Sequence, residues 1–194
     1  MRTIRLAMPS DARSVLEIYG PFVATTAVSF ETEVPSEAEM GSRITSTLRY
    51  APWLVCVDEA RVVGYAYASK HRERAAYQWS SDVSVYVRDG HRRGGVGRAL
   101  YAVLFELLRR QGFRAAHAGI TLPNAASVGL HESLGFHAIG VYQRVGFKLG
   151  DWHDVGTWQL ELAARCGAPT PILGMEGLSS LPEVLVASAC GQAA

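Results

Sequence analysis

The chain has 194 residues, 48% of them hydrophobic, and its 19 lysines and arginines against 18 aspartates and glutamates leave a formal net charge of +1. That length predicts one domain able to bury about 70% of its unfolded surface, so no disulfide or metal staple is required. The near-zero charge balance excludes a globally basic binder of nucleic acid or of membrane surfaces.

Cys56, Cys166 and Cys190 are odd in number and widely spaced, which points to a reducing compartment and no disulfide framework. Cys56 lies in an apolar run and is expected in the core. The amino terminus lacks a signal-peptide pattern and no apolar run reaches the roughly 18 residues of a membrane span, so a cytoplasmic location is expected. The six histidines include no close helical pair and no Cys-x-x-Cys accompanies them, so no metal is expected.

In chain order, Thr3 to Met8 alternates as a first strand, and Pro9-Ser10-Asp11 opens a helix that Gly20-Pro21 should end. Residues 22–33 read as a loop or weak helix. Ser36-Glu37-Ala38-Glu39 has capping-box spacing and predicts a helix through Leu48. Trp53 to Val57 and Val62 to Ala68 are β-prone runs joined by Asp58-Glu59-Ala60-Arg61, an antiparallel hairpin. After the basic segment Lys70 to Arg74, Val83, Val85 and Val87 alternate with Ser84 and Tyr86 as a half-buried strand. From Val96 the apolar residues recur at helical spacing to near Gly112. Arg114 to Ile120 is a further strand, Asn124 caps a helix to Leu134 ahead of Gly135, and Ala138 to Tyr142 and Val155 to Leu162 complete the sheet. Gly146 to Asp154 between them is dense in glycine and aromatics. Residues 164–194 turn to proline, glycine and small residues and are expected as a loosely attached tail on a domain spanning 1–163, with Leu181 to Val186 able to form a docked turn.

The turn between the valine strand and the long helix reads His91-Arg92-Arg93-Gly94-Gly95-Val96-Gly97-Arg98. The first amides of a helix lack intrahelical partners and sit at the positive end of its dipole, so a basic, glycine-rich entry can hold an anion. A dinucleotide fingerprint from Gly95 would require glycine where Leu100 stands, and Gly-Lys followed by Ser or Thr is absent. A solvated basic turn is the competing reading.

Arg92 to Gly97 fits the Arg/Gln-x-x-Gly-x-Gly/Ala pyrophosphate loop of the GNAT superfamily of acetyl-CoA-dependent N-acyltransferases. Tyr77 to Val87, Gly119 to Phe136 and Gly146 to Gln159 resemble the phosphinothricin and methionine sulfoximine acetyltransferases, and the resemblance covers roughly residues 2–163. It implies an α/β (α+β) fold: a mixed, mostly antiparallel sheet of six or seven strands, splayed between strands four and five and flanked by helices. It also implies a homodimer and direct acetyl transfer, through a tetrahedral intermediate, to the α-amino group of a small amino-acid analogue. Two other readings are a peptide amino-terminal acetyltransferase of the same fold and a non-catalytic acetyl-CoA sensor.

The resemblance places acetyl-CoA on Arg92, Arg93, Gly94, Gly95, Val96, Gly97 and Arg98, on the backbone of Val85, Tyr86 and Val87, and on Asn124. Gly94 stands where relatives commonly carry a basic residue. Asp82 takes the place of the family's catalytic glutamate, one methylene shorter, so that a water relay becomes more favourable. His131 follows Asn124 by seven residues, where the superfamily presents a tyrosine that protonates the thiolate; an imidazole there could act as acid, relay or packing group. Arg72 and Arg74 could clamp a substrate carboxylate, Phe30 could wall the acceptor pocket, and His153 could support it.

Overall fold

The computed structural model describes residues 2–178. Seven strands form one sheet in the order β1-β2-β3-β4-β5-β7-β6. They are β1 (Thr3–Leu6), β2 (Trp53–Asp58), β3 (Arg61–Lys70), β4 (Ser80–Val87), β5 (Ala115–Leu122), β6 (His137–Lys148) and β7 (Asp151–Glu161). Every neighbouring pair is antiparallel except β4 and β5. Those two run parallel and pair only through Ser80 with Ala115, Ser81 with Ala116 and Asp82 with His117. Beyond Asp82 they part, which is the expected splay. The β4 edge from Val83 to Val87 that faces β5 is therefore not paired with it, a requirement for any extended ligand that adds to the sheet there.

Among the described residues four α-helices cover the sheet: α1 (Ala12–Thr25), α2 (Glu37–Thr47), α3 (Val96–Gln111) and α4 (Ala125–Glu132). Strand alternation divides the core between the two faces. Leu54, Cys56, Val63, Val83, Ala116, Ala118 and Ile120 pack with Leu100, Tyr101, Leu104 and Leu108 of α3. Val55 and Tyr65 pack instead with Val15, Ile18, Met40 and Ile44 of α1 and α2.

The capping box at Ser36 and Glu39 forms as read: the Ser36 hydroxyl accepts from the Glu39 amide at 3.2 Å, and the Glu39 carboxylate accepts from the Ser36 amide at 2.9 Å. The β2–β3 turn places Glu59 and Ala60 in the left-handed region, the two-residue geometry that matches strand twist.

Three expectations are corrected. Gly20-Pro21 does not end the first helix, which continues to Thr25 with Pro21 inside it. Burial of Val23 and the edge contact of Phe22 with Tyr86 at 5.2 Å compensate for the amide that proline lacks. The fourth helix stops at Glu132, with Gly135 in the left-handed conformation beyond it. The strands expected at Ala138 to Tyr142 and Val155 to Leu162 are longer, because β6 and β7 are 12 and 11 residues long, take in most of Gly146 to Asp154 and turn at Leu149 and Gly150.

The chain beyond β7 returns across the carboxyl end of α3. The Leu173 amide donates to the Gln111 carbonyl, the Gln111 side-chain amide donates to the Leu173 and Tyr50 carbonyls, all at 2.9 Å, and Leu178 is buried. The Leu181 to Val186 turn considered in the sequence lies outside the described residues.

Candidate active site

The basic glycine turn enters α3 through Gly95, whose φ of 77° puts it in the left-handed region. That conformation suits glycine. No side chain caps the helix, so its first amides are available to an anion. Gly97 is needed for a different reason. A Cβ there would approach within 3.2 Å of Leu130 and 3.7 Å of Val87, so this glycine lets α3 settle between β4 and α4.

Around the turn, Arg92 lies 5.2 Å over the Phe22 ring and 3.6 Å from Asp89, and Arg98 donates to the Ser133 hydroxyl at 2.7 Å. Arg93 is exposed, with φ at 60°. Arg2 was missed by the sequence reading. It pairs with Asp58 at 2.9 Å and donates to the Gly94 carbonyl at 2.6 Å, bringing a guanidinium beside the position that lacks a basic side chain. No local pattern links residues 92 positions apart.

The splay is lined on one side by Val83 to Tyr86 and on the other by Ala118 to Thr121, with Asn124, Ser127, His131 and Tyr101 beneath and Val28 at the rim. The Asn124 side chain accepts from the Ser127 amide at 3.1 Å, so it caps α4 while lining this cleft.

His131 is buried. Its Nδ1 lies 2.7 Å from the Ser127 carbonyl, which can only accept, so Nδ1 carries the proton. Nε2 then accepts from the Tyr101 hydroxyl at 3.0 Å. Burial holds this imidazole below its usual range, against the opposing effect of the Ser127 carbonyl, and burial drives the Tyr101 phenol well up. The pair is neutral.

Asp82 stands at the last paired position before the splay. Its carboxylate accepts from Nδ1 of His71 at 2.7 Å. Burial raises the Asp82 carboxyl, opposed by the His71 hydrogen bond and the nearby positive charge of Arg72. His71 stacks on His117, with ring centroids 4.2 Å apart and planes 15° apart. Burial, with the positive surroundings of His71, Arg165 and Arg72, pushes His117 down to about 4. Arg72 and Arg74 are both exposed; the charge of Arg72 reaches Asp82 and His117, and Arg74 begins the short 3-10 turn Ala75–Tyr77.

Phe30 lies on residues 26–33, a segment fixed from three directions. Ser29 bonds Tyr19 at 2.7 Å, Glu31 pairs with Arg43 at 2.6 Å, and the buried Lys148 ammonium donates to the Val23 and Ser29 carbonyls at 2.7 Å. The Phe30 ring rests on the Gly146 backbone so closely that any side chain there would overlap it. His153 sits 6.3 Å from Phe30 and donates through Nε2 to the Lys148 carbonyl at 2.9 Å. Phe30 and His153 therefore neighbour each other beside the β6–β7 hairpin, and neither is among the residues that line the splay.

Residues 4–157 match the Acetyltransferase (GNAT) domain. The chain belongs to the GNAT acetyltransferase family. Among curated GNAT enzymes, the phosphinothricin N-acetyltransferase of Streptomyces viridochromogenes is 40% identical over 156 residues, covering 80% of this chain and 85% of the relative. The L-methionine sulfoximine/L-methionine sulfone acetyltransferase of Pseudomonas aeruginosa is 38% identical over 169 residues, covering 86% and 98%. The crystal structure of a GNAT superfamily phosphinothricin acetyltransferase from Sinorhizobium meliloti in complex with acetyl-CoA superposes with a TM-score of 0.82 at 37% identity, covering 87% of this chain and 93% of that one.

This GNAT chain has the fold of an acetyl-CoA-dependent acetyltransferase, and its own residues suit that co-substrate. The open α3 amino terminus and its arginines fit a pyrophosphate, and the unpaired β4 edge fits an extended amide-bearing arm. Among the described residues no group of histidines, cysteines and carboxylates is arranged to hold a metal, and no helix is long and apolar enough to cross a membrane.

Proposed function

We propose that the protein transfers the acetyl group of acetyl-CoA to the α-amino group of a small amino acid bearing a phosphinate, sulfoximine or sulfone group. The observation that carries this reading is the position of Asp82 at the mouth of the splay, beside the free β4 edge and within electrostatic reach of Arg72. The co-substrate supplies an activated thioester carbonyl. Arg93, the Gly94-Gly95 turn and the Val96, Gly97 and Arg98 amides hold its pyrophosphate, with Arg92 and Arg98 at the rim.

The backbone of Val85, Tyr86 and Val87 aligns the arm along β4, and a β4 amide donates to the carbonyl oxygen as charge develops there. Asn124 borders the same cleft. Asp82 draws the substrate ammonium to the mouth of the splay, where it is deprotonated. Arg72 takes the substrate carboxylate, with Arg74 as an outer partner, and Phe30 and His153 wall the side chain. For His131 the geometry favours a relay over an acid, because its one proton is engaged by Ser127 and its free nitrogen holds the Tyr101 hydroxyl.

The protein acts as a homodimer in this reading. The outer strand β6 and its turn expose Ile139, Val141, Tyr142, Val145, Phe147 and Leu149, an apolar edge of the kind soluble monomers seldom leave open. The functional test is thiol release from acetyl-CoA with methionine sulfoximine, methionine sulfone, phosphinothricin and a set of peptides. Turnover on the amino-acid analogues well above that on peptides is expected. Preference for peptides would assign amino-terminal acetylation, and cofactor binding without turnover on any amine would assign a sensor.

A further inference from the structure

The relatives' pattern assigns the proton acceptor to a carboxylate at position 82, yet in this chain that carboxylate is already engaged. His71 Nδ1 lies 2.7 Å from Asp82 Oδ1. An ionised carboxylate only accepts, so Nδ1 bears the proton, and in the neutral ring Nε2 presents a lone pair. Nε2 has no hydrogen-bond partner among the described residues, and the side chain keeps 20% of its surface exposed.

The ring is fixed on its face as well. It stacks on His117 and meets the Tyr77 ring edge-on at 5.9 Å. Register explains why the three groups converge. His117 is the direct partner of Asp82 across the parallel pair, and Ser69 is its partner on β3, so residue 71 arrives just beyond that end of β3. Directly opposed residues share a face of the sheet, and these stand where β4 and β5 part.

An oriented base whose second nitrogen is held by a carboxylate is the arrangement by which hydrolases fix an imidazole in the tautomer that takes a proton; here the carboxylate side chain is 45% exposed. Imidazoles titrate near neutral pH and carboxylates do not, so an imidazole is better matched than an aspartate to removing a proton from an ammonium at neutral pH.

We propose that His71 is a catalytic residue of this acetyltransferase: its Nε2 accepts the proton of the substrate ammonium, Asp82 holds its tautomer and stabilises the imidazolium, and His117 supports the ring. This rests on the acetyltransferase reading above. One proton passes from the ammonium to Nε2, giving a neutral amine. Its nitrogen bonds to the thioester carbonyl carbon as the carbon–sulfur bond breaks. The second amine proton balances protonation of the departing thiolate, and the imidazolium returns its proton to water. The ensemble sums to one proton released per turnover.

The test is a double-mutant cycle on the full-length protein with its best amino-acid substrate. His71→Phe keeps a ring against His117 but has no lone pair; His71→Gln is the second variant should the first fail to fold, and an unchanged acetyl-CoA Kd by calorimetry establishes folding in each. Asp82→Asn should lower kcat about 100-fold in the wild-type background and less than about 3-fold in the His71→Phe background, since groups serving one proton path fail as a unit. His71→Ala should regain at least about tenfold in kcat with added imidazole. Wild-type kcat in His71→Phe would overturn the proposal, as would a full Asp82→Asn loss in both backgrounds, which would make the carboxylate the acceptor. Absence of wild-type turnover on every amine would instead refute the acetyltransferase reading itself.

Discussion

The ammonium of Lys148 donates a 2.7 Å hydrogen bond to the carbonyl of Ser29, joining the β6–β7 hairpin to a loop 119 residues earlier. The same nitrogen holds the Val23 carbonyl, and the side chain is 6% exposed. Lys148→Met keeps the stem but strands two buried carbonyls, each costing about 1–3 kcal/mol when unsatisfied. The loop carrying Phe30 should loosen, raising KM for the amine about tenfold while KM for acetyl-CoA stays within about twofold. Steady-state kinetics in both substrates checks this, and equal shifts in the two constants would count against Phe30 as a wall of the acceptor pocket.

The Arg2 contact to Gly94 predicts a selective effect on the other substrate. Arg2→Ala should raise KM for acetyl-CoA by about tenfold, the value of one charge-assisted hydrogen bond near 1.5 kcal/mol. The amine constant should not move. Gly97→Asp, which adds a negative charge to the same turn, is a less selective probe, because its side chain would press on Leu130. It should lower Tm as well as cofactor affinity, which thermal melts with and without acetyl-CoA would separate.

His131 and Tyr101 predict a shape for the rate profile. The working form of His131 is neutral, and burial lowers its pKa below the ordinary value near 6.5. Its contribution to kcat should therefore be complete at neutral pH and fall away on the acid side of 6.5. His131→Ala should reduce kcat about 100-fold, remove that acid limb and leave the Tyr101 hydroxyl without its acceptor. Profiles of kcat from pH 5 to 9 for wild type, His131→Ala and Tyr101→Phe test the relay; an unchanged profile in His131→Ala would return the residue to packing.

His117 predicts a stability effect with a definite sign. Its pKa is near 4 in the folded chain and near 6.5 in an unfolded one, so between these values the unfolded state binds more protons and stability rises with pH. His117→Leu should flatten that rise in urea melts between about pH 4 and 6.5. Asp11 acts lower on the scale. Burial raises its carboxyl, but the Arg5 hydrogen bond at 2.7 Å, the Met8 amide and the Arg5 charge together hold it below the usual carboxylate range. Its stabilisation is full above the ordinary carboxylate pKa and is lost as pH falls through the folded value, so Asp11→Asn should lower stability throughout the upper range while leaving the slope due to His117 unchanged.

The apolar edge of β6 predicts an oligomeric change. Val141 and Phe147 are 52% and 59% exposed, and replacing both with lysine should give a monomer by light scattering while acetyl-CoA still binds at the α3 turn. A wild-type monomer, or a double variant that remains dimeric, would place the subunit contact elsewhere or remove it.

Local chemistry made much of this protein legible from its sequence. The capping box at Ser36, the β2–β3 turn, the valine strand and the helix entry at Gly95 each depend on residues within a few positions of one another, so their backbone preferences and periodicity determine them. That put the basic glycine turn and the Asn124 cap in view, whereas Asp82 was singled out by the family resemblance alone. Tertiary structure decided what distance in the chain conceals. Packing of Phe22 and Val23 carried α1 through a proline, and pairing of β6 with β7 on both sides of a register shift extended the two expected strands into a long hairpin. Arg2 reached Gly94, Lys148 reached Ser29, Tyr101 took the second nitrogen of His131, and the register of β4 with β5 set His117 opposite Asp82, with His71 bonded to one and stacked on the other. Each of these depends on which strands neighbour each other and by how many residues they are offset, and a shift of one residue in the β4–β5 register would turn His117 to the opposite face.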